Sequence, residues 1–159
     1  MSPSSEPSFA ARARALVHRV RTGTLSTQSQ QRPGYPFGSL APYAPDERGR
    51  PVFLFSALSL HTKNLAADRR ASLLVTPVEP AEDPLALARV TLLGEARRLT
   101  AAEAAADRAR YLARHPGAAM WVDFADFAFW RLDVMSAYFV GGFGAMDWIA
   151  PDTYAEAHP

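Results

Sequence analysis

Cysteine is absent from this 159-residue chain. That excludes disulfides, thiolate metal sites and cysteine nucleophiles, and it fits the reducing conditions of a cytoplasm. Charge of either sign is not in excess: 17 basic against 16 acidic residues leave +1, too weak a field to attract nucleic acid or a membrane surface. No apolar run reaches the ~18 residues that span a bilayer. The opening MSPSSEPS lacks the basic and apolar regions of a secretory signal. A glycine-rich phosphate loop, GxGxxG and HExxH are all missing. His18, His61, His115 and His158 share no metal-ligand spacing, so no metal site is expected. Nor does any Ser-His-Asp order stand out.

What is present is an ordinary globular composition, 48% apolar and 21% charged, in a chain long enough for one domain with a real core. Residues 1–8 read as a disordered lead, 9–150 as the domain and 151–159 as a tail. Phe9, Ala13, Leu16, Val17 and Val20 recur at helical spacing, which predicts an amphipathic helix over 9–20. A strand starts at 22–27, and the Pro-Gly pair of 28–34 marks a turn. Residues 35–43 alternate in the strand sense, with Tyr35, Phe37, Ser39, Ala41 and Tyr43 on one face and Pro36, Gly38 and Pro42 pointing to an edge or a bulge. After the turn at 45–50 come a buried strand at 52–58, a helix at 60–67 and a strand at 71–78. A long strand over 87–99 bends at Gly94. Thr100 and Glu103 form a capping box ahead of a helix over 101–114. A strand at 127–140 and a short one at 146–149 close the pattern. Six or so strands, two main helices and several hairpin turns predict a small β-barrel with helical decoration.

One stretch carries chemistry. VFLFSAL runs as an apolar strand into S-L-H-T-K-N-L, where Ser59 is placed to cap a helix starting near Leu60. A strand feeding a helix N-terminus presents free N–H groups and the positive end of the dipole. Ser56, Ser59, His61, Thr62 and Lys63 gather there, the chemistry of a phosphate cradle. The competing account is an ordinary cap with a solvated lysine.

The spaced motifs G-Y-P-F-G-S-L-A-P-Y, D-E-R-G-R-P-V-F-L-F-S, H-T-K-N-L-A-A-D-R-R-A-S-L-L-V, R-V-T-L-L-G-E-A-R-R-L and V-G-G-F-G occur in order. Together they resemble the pyridoxamine 5′-phosphate oxidase-like split-barrel superfamily, and within it the HugZ-type haem-utilisation proteins. The resemblance covers about residues 9–150. It implies a mainly β fold, a six-stranded antiparallel split β-barrel with flanking helices, forming a homodimer with FMN at the subunit interface. It implies cofactor contacts from Ser39 and Leu40 on the second strand, from Ser56 at the end of the third, from His61, Thr62, Lys63 and Asn64 at the helix start, and from Arg89 and Trp130. Many relatives carry Lys in place of His61 and Arg in place of Ser39. A neutral imidazole donates one hydrogen bond where lysine supplies a full charge, so weaker FMN binding, or binding favoured at lower pH, is expected unless Lys63 compensates.

The resulting expectation is a cytoplasmic FMN-dependent oxidoreductase acting on a small-molecule substrate, with no nucleic-acid or membrane partner. Its alternatives are a haem-binding or haem-degrading protein on the same barrel, and a non-catalytic flavin carrier; a deazaflavin could replace FMN. HugZ-type haem degraders, which this chain resembles, carry a further C-terminal domain and use a C-terminal histidine on haem; that domain is not expected here, and His158 is assigned to a disordered tail, with an axial haem role as the lesser alternative. The aromatics from Trp121 to Phe143 are assigned mainly to core or dimer interface. Asp123 and Asp126 are assigned to turns or a helix start.

Overall fold

The computed structural model describes residues 6–159, so the first five residues of the expected lead lie outside it. The first helix, α1 (Phe9–Arg19), begins where the Ser8 hydroxyl accepts the amide of Ala11 at 3.2 Å. β1 (Thr22–Gln28) and β2 (Pro36–Pro42) form a hairpin. The two-residue β3 (Ala44–Pro45) turns through Asp46–Arg50 into β4 (Pro51–Ser56). Then follow α2 (Leu60–Ala67), β5 (Arg70–Val75), β6 (Arg89–Arg98), α3 (Ala101–Arg114), β7 (Phe127–Val140), β8 (Met146–Ile149) and α4 (Pro151–Glu156).

These strands make one antiparallel sheet in the order β2-β1-β5-β6-β7-β4-β3. β4 and β8 both pair with β7, along its first and last residues respectively. The sheet curls until β2 comes back against β4, the split-barrel form. The strand count is eight rather than the expected six. β1, β2, β4, β5, β6 and β7 supply the six; β3 is a stub beside the 46–50 turn, and β8 is added by the Gly141–Gly144 turn.

β7 is the spine, and a bulge makes its pattern intelligible. Leu93 pairs with Ser136 but Gly94 pairs with Val134, so Met135 is the extra residue. Before it Trp130 and Leu132 face the core; after it Ala137 and Phe139 do. The insertion switches the parity of a period-2 strand without losing the core face. Gly94 is required there because a Cβ would run into the Asp133 carbonyl.

The interior has two parts. α1 covers the main one, where Leu25, Phe53, Leu73, Leu92, Leu132 and Phe139 meet. α3 covers a second, built on Val52, Leu54, Tyr111 and Phe129. β4 therefore buries both faces, which is why it reads as an unbroken apolar run.

Residues 151–159, assigned to a tail, contain α4. Tyr154 is 1% exposed and donates its hydroxyl to Gly49 O at 2.8 Å. Arg14, buried on α1, donates to Tyr154 O at 3.0 Å, Ala155 O at 2.9 Å and Glu47 O at 2.9 Å. One guanidinium thus ties α1, α4 and the β3–β4 turn together. Among the described residues, no helix is long and apolar enough to cross a membrane.

Candidate functional site

β4 ends and α2 begins within four residues, which brings Ser56, Ser59, His61, Thr62, Lys63 and Asn64 to one junction. Several of these side chains are already committed. The Ser56 hydroxyl donates to Asp126 Oδ2 at 2.6 Å and accepts the Leu58 amide at 3.1 Å. The Ala57 amide donates to Asp126 O at 2.7 Å. Asn64 is buried: its Nδ2 donates to Thr27 Oγ1 at 3.0 Å, and its Oδ1 accepts from the Gln30 amide at 3.0 Å. These two residues hold the junction to β7 and to the β1–β2 turn. Ser59 occupies the N-cap position, but its hydroxyl makes no capping bond.

Three side chains remain. Thr62 Oγ1 is buried without a hydrogen-bond partner, in a residue 6% exposed. His61 packs on Phe55 with ring centroids 4.4 Å apart. Burial lowers its pKa, so the imidazole is neutral near pH 7. Lys63 is exposed.

As a phosphate cradle this junction is weak. The α2 dipole and Lys63 favour an anion, but the Asp126 carboxylate stands beside Ser56 and His61 carries no charge. One exposed lysine against one carboxylate leaves no net field for a phosphate dianion, and the donor set does not fit FMN well.

The remaining expected contacts are dispersed. Leu40 lies 75% exposed on the outer face of β2, while Ser39 points the opposite way, opposite Leu25. Arg89 donates to the carbonyls of Leu85 and Leu87, stitching down the loop before β6. Trp130, 8% exposed, packs in the main core, because its position before the bulge turns it inward. Arg131 enters an ion network with Asp133 and Glu103.

A second place went unrecognised in the sequence. α1 and α3 end side by side, and a cavity of about 610 Å³ opens between them. Arg21, Arg114, His18 and His158 all line it. The available signal was positional: an arginine at or just beyond the end of each helix, each with a histidine close by in sequence. Among the described residues, no group of three or more His, Asp or Glu side chains is placed to hold a metal ion.

Comparison with known proteins adds three observations. A family model described as CREG, beta-barrel matches residues 4–156. The chloroplastic non-canonical heme oxygenase HOZ of Arabidopsis thaliana is 43% identical over 129 residues, 81% of this chain and 39% of that protein. A heme binding protein from Mycobacterium smegmatis superposes with a TM-score of 0.90 at 38% identity, over 96% of this chain and 62% of that one. The chain therefore spans less than two thirds of either relative. A Clostridium acetobutylicum protein of the pyridoxinephosphate oxidase family shares the fold alone, with a TM-score of 0.69 at 13% identity over 92% of this chain and 96% of that one.

Proposed function

The chain belongs to the CREG β-barrel family, with the fold of the pyridoxamine 5′-phosphate oxidase-like split barrels, and on that footing we propose that it binds haem. The observation that carries this reading is the 38% identity and 0.90 TM-score, over 96% of the chain, to a protein described as heme binding. The name of the plant relative supports the same ligand. The site chemistry agrees in part. Haem needs a neutral imidazole for its iron rather than a phosphate cradle, and supplies an iron centre for oxygen chemistry or for carriage alone. Haem degradation is the finer proposal, since this chain spans only part of the relative whose name carries that activity.

FMN, bound by an oxidoreductase or by a flavin carrier, is the second reading. The unpartnered Thr62 hydroxyl and Lys63 at the α2 N-terminus favour it. The committed Ser56 and the Asp126 carboxylate weigh against it.

A homodimer accompanies either reading. Register aligns Leu40, Thr24, Leu74, Thr91, Tyr138 and Trp148 in one row across six strands. The row contains no charge, and Leu40 and Trp148 are 75% and 60% exposed. An uncharged, partly aromatic sheet face suits a self-complementary interface.

The test is the visible spectrum of purified protein after gel filtration, with haemin and with FMN added separately. A retained Soret band at one haem per chain supports the proposal. Retained flavin with no haem band would overturn it in favour of FMN. With haem bound, loss of the band under a reductant and oxygen would extend the function to degradation.

A further inference from the structure

The cavity between the ends of α1 and α3 holds more positive charge than its surroundings offset. Arg21 Nη2 donates to Arg114 O at 2.5 Å, and Arg114 donates in turn to Val20 O at 2.5 Å and Tyr43 O at 3.1 Å. These bonds cap the carbonyl ends of both helices. Each helix end offsets about half a charge, so the two guanidinium charges are only partly balanced by it. Neither guanidinium pairs with a carboxylate among the described residues. The acids of the lining are engaged elsewhere: Asp46 is bound to Arg50, and Glu47, its side chain 90% exposed, stands 3.5 Å from Arg110.

Capping also leaves donors over. A guanidinium carries five N–H groups; Arg21 spends one and Arg114 two on the helix ends. Arg114 shows the strain of the unbalanced charge: burial lowers its pKa, Tyr43 opposes this, and the neighbouring Arg21 adds to the lowering. An anion in the cavity relieves both pressures. Two imidazoles, His18 and His158, line the same space and can each donate an N–H. The apolar wall is small, Pro45, Ala113 and Pro159, and the rest of the lining is charged or polar.

A ligand matching this lining is anionic at the arginines and hydrophilic elsewhere. The volume, about 610 Å³, leaves room for a body beyond the anionic head and lies within the range of small-molecule sites. We propose that the cavity between α1 and α3 binds a small hydrophilic polyanion, a phosphate ester or a polycarboxylate, held by Arg21 and Arg114. Both groups match the fork of a guanidinium, which is the chemistry they share. The site is separate from the α2 junction and does not depend on the haem reading. Arg21 and Glu47 are exposed, so replacing them does not open the core.

The experiment is isothermal titration calorimetry at low ionic strength, with inorganic phosphate, glucose 6-phosphate and citrate as probes. The wild type, R21Q, E47Q and K63Q are compared, each confirmed folded by circular dichroism. The wild type should bind at least one probe with one site per chain, and the tighter of glucose 6-phosphate and citrate identifies the head group as phosphate or polycarboxylate. R21Q should weaken that binding roughly tenfold, the loss of one charge-assisted contact. E47Q, which removes a negative charge from the lining, should tighten it about two- to threefold. K63Q should bind as the wild type does. If K63Q abolishes binding while R21Q keeps it, the anion belongs to the α2 junction and this inference is overturned. If no probe gives more heat than potassium chloride at equal ionic strength, the cavity binds no polyanion and the inference also fails.

Discussion

Ser56 and Asp126, seventy residues apart, share a hydrogen bond of 2.6 Å in which the serine hydroxyl donates to the carboxylate. The same oxygen accepts the Leu58 amide, so the hydroxyl is spent on holding the end of β4 to the start of β7. Ser56→Ala should cost about 1–2 kcal/mol of stability in urea unfolding and leave haem and FMN titrations unchanged. A cofactor-binding role requires the reverse pattern, weaker ligand with unaltered stability.

Thr62 presents the opposite case, a buried hydroxyl with nothing to bond. Valine matches its shape without the polar group, so Thr62→Val should raise stability by about 1 kcal/mol, a few degrees in Tm for a chain of this size. If Tm rises while FMN retention falls, the hydroxyl serves a flavin ligand and the second functional reading gains.

Asn64 connects α2 to Thr27 and Gln30 through both ends of its amide. Asn64→Ala removes both bonds and strands the buried Thr27 hydroxyl and the Gln30 amide. A loss of about 2–4 kcal/mol is expected, measured by the shift in urea midpoint at constant m-value.

His61 sets a pH dependence of known sign. Burial holds its folded pKa below the ordinary 6.5, so the unfolded chain takes up a proton at a pH where the fold resists one. Its contribution is present above 6.5 and is lost as pH falls from there toward the folded value. His115 is shifted the same way, first by burial, with Arg114 and Arg21 adding to it. Stability from urea unfolding at about pH 7.5 and 5.5 should therefore fall with pH, and His61→Gln should flatten part of the slope. An unchanged slope in that variant rejects the assignment.

The outer row from Leu40 to Trp148 makes a claim about assembly. Leu40→Glu combined with Trp148→Glu places charge at both ends of an uncharged strip. Sedimentation should show a dimer converting to monomer, with circular dichroism unchanged because both positions are exposed. A monomeric wild type would sink the proposal at once.

What the sequence showed and what it hid divides by distance along the chain. The capping box of Thr100 and Glu103 was legible because its two bonds join residues three apart, and both are present. The bend at Gly94 was legible because a glycine inside a strand marks a close backbone approach. Ser56, Asn64 and Trp130 were placed at the right elements, but their packing partners were not legible. Their partners, Asp126, Gln30 and the main core, come from distant segments, and a single inserted residue, Met135, decides which way Trp130 faces. Arg21 and Arg114 were hidden for the same reason: their shared cavity exists only once two helices end together.

Arg14 also bears on how the chain is made. Its carbonyl partners at Tyr154 and Ala155 lie 140 and 141 residues downstream, so on a ribosome they emerge on the order of ten seconds later. Until then the first helix carries an inward-facing cation with only Glu47 O within its eventual reach. Docking of α1 thus waits for α4, and a nascent chain halted before α4 should hold its first helix loosely, open to chaperones, however complete the sheet behind it.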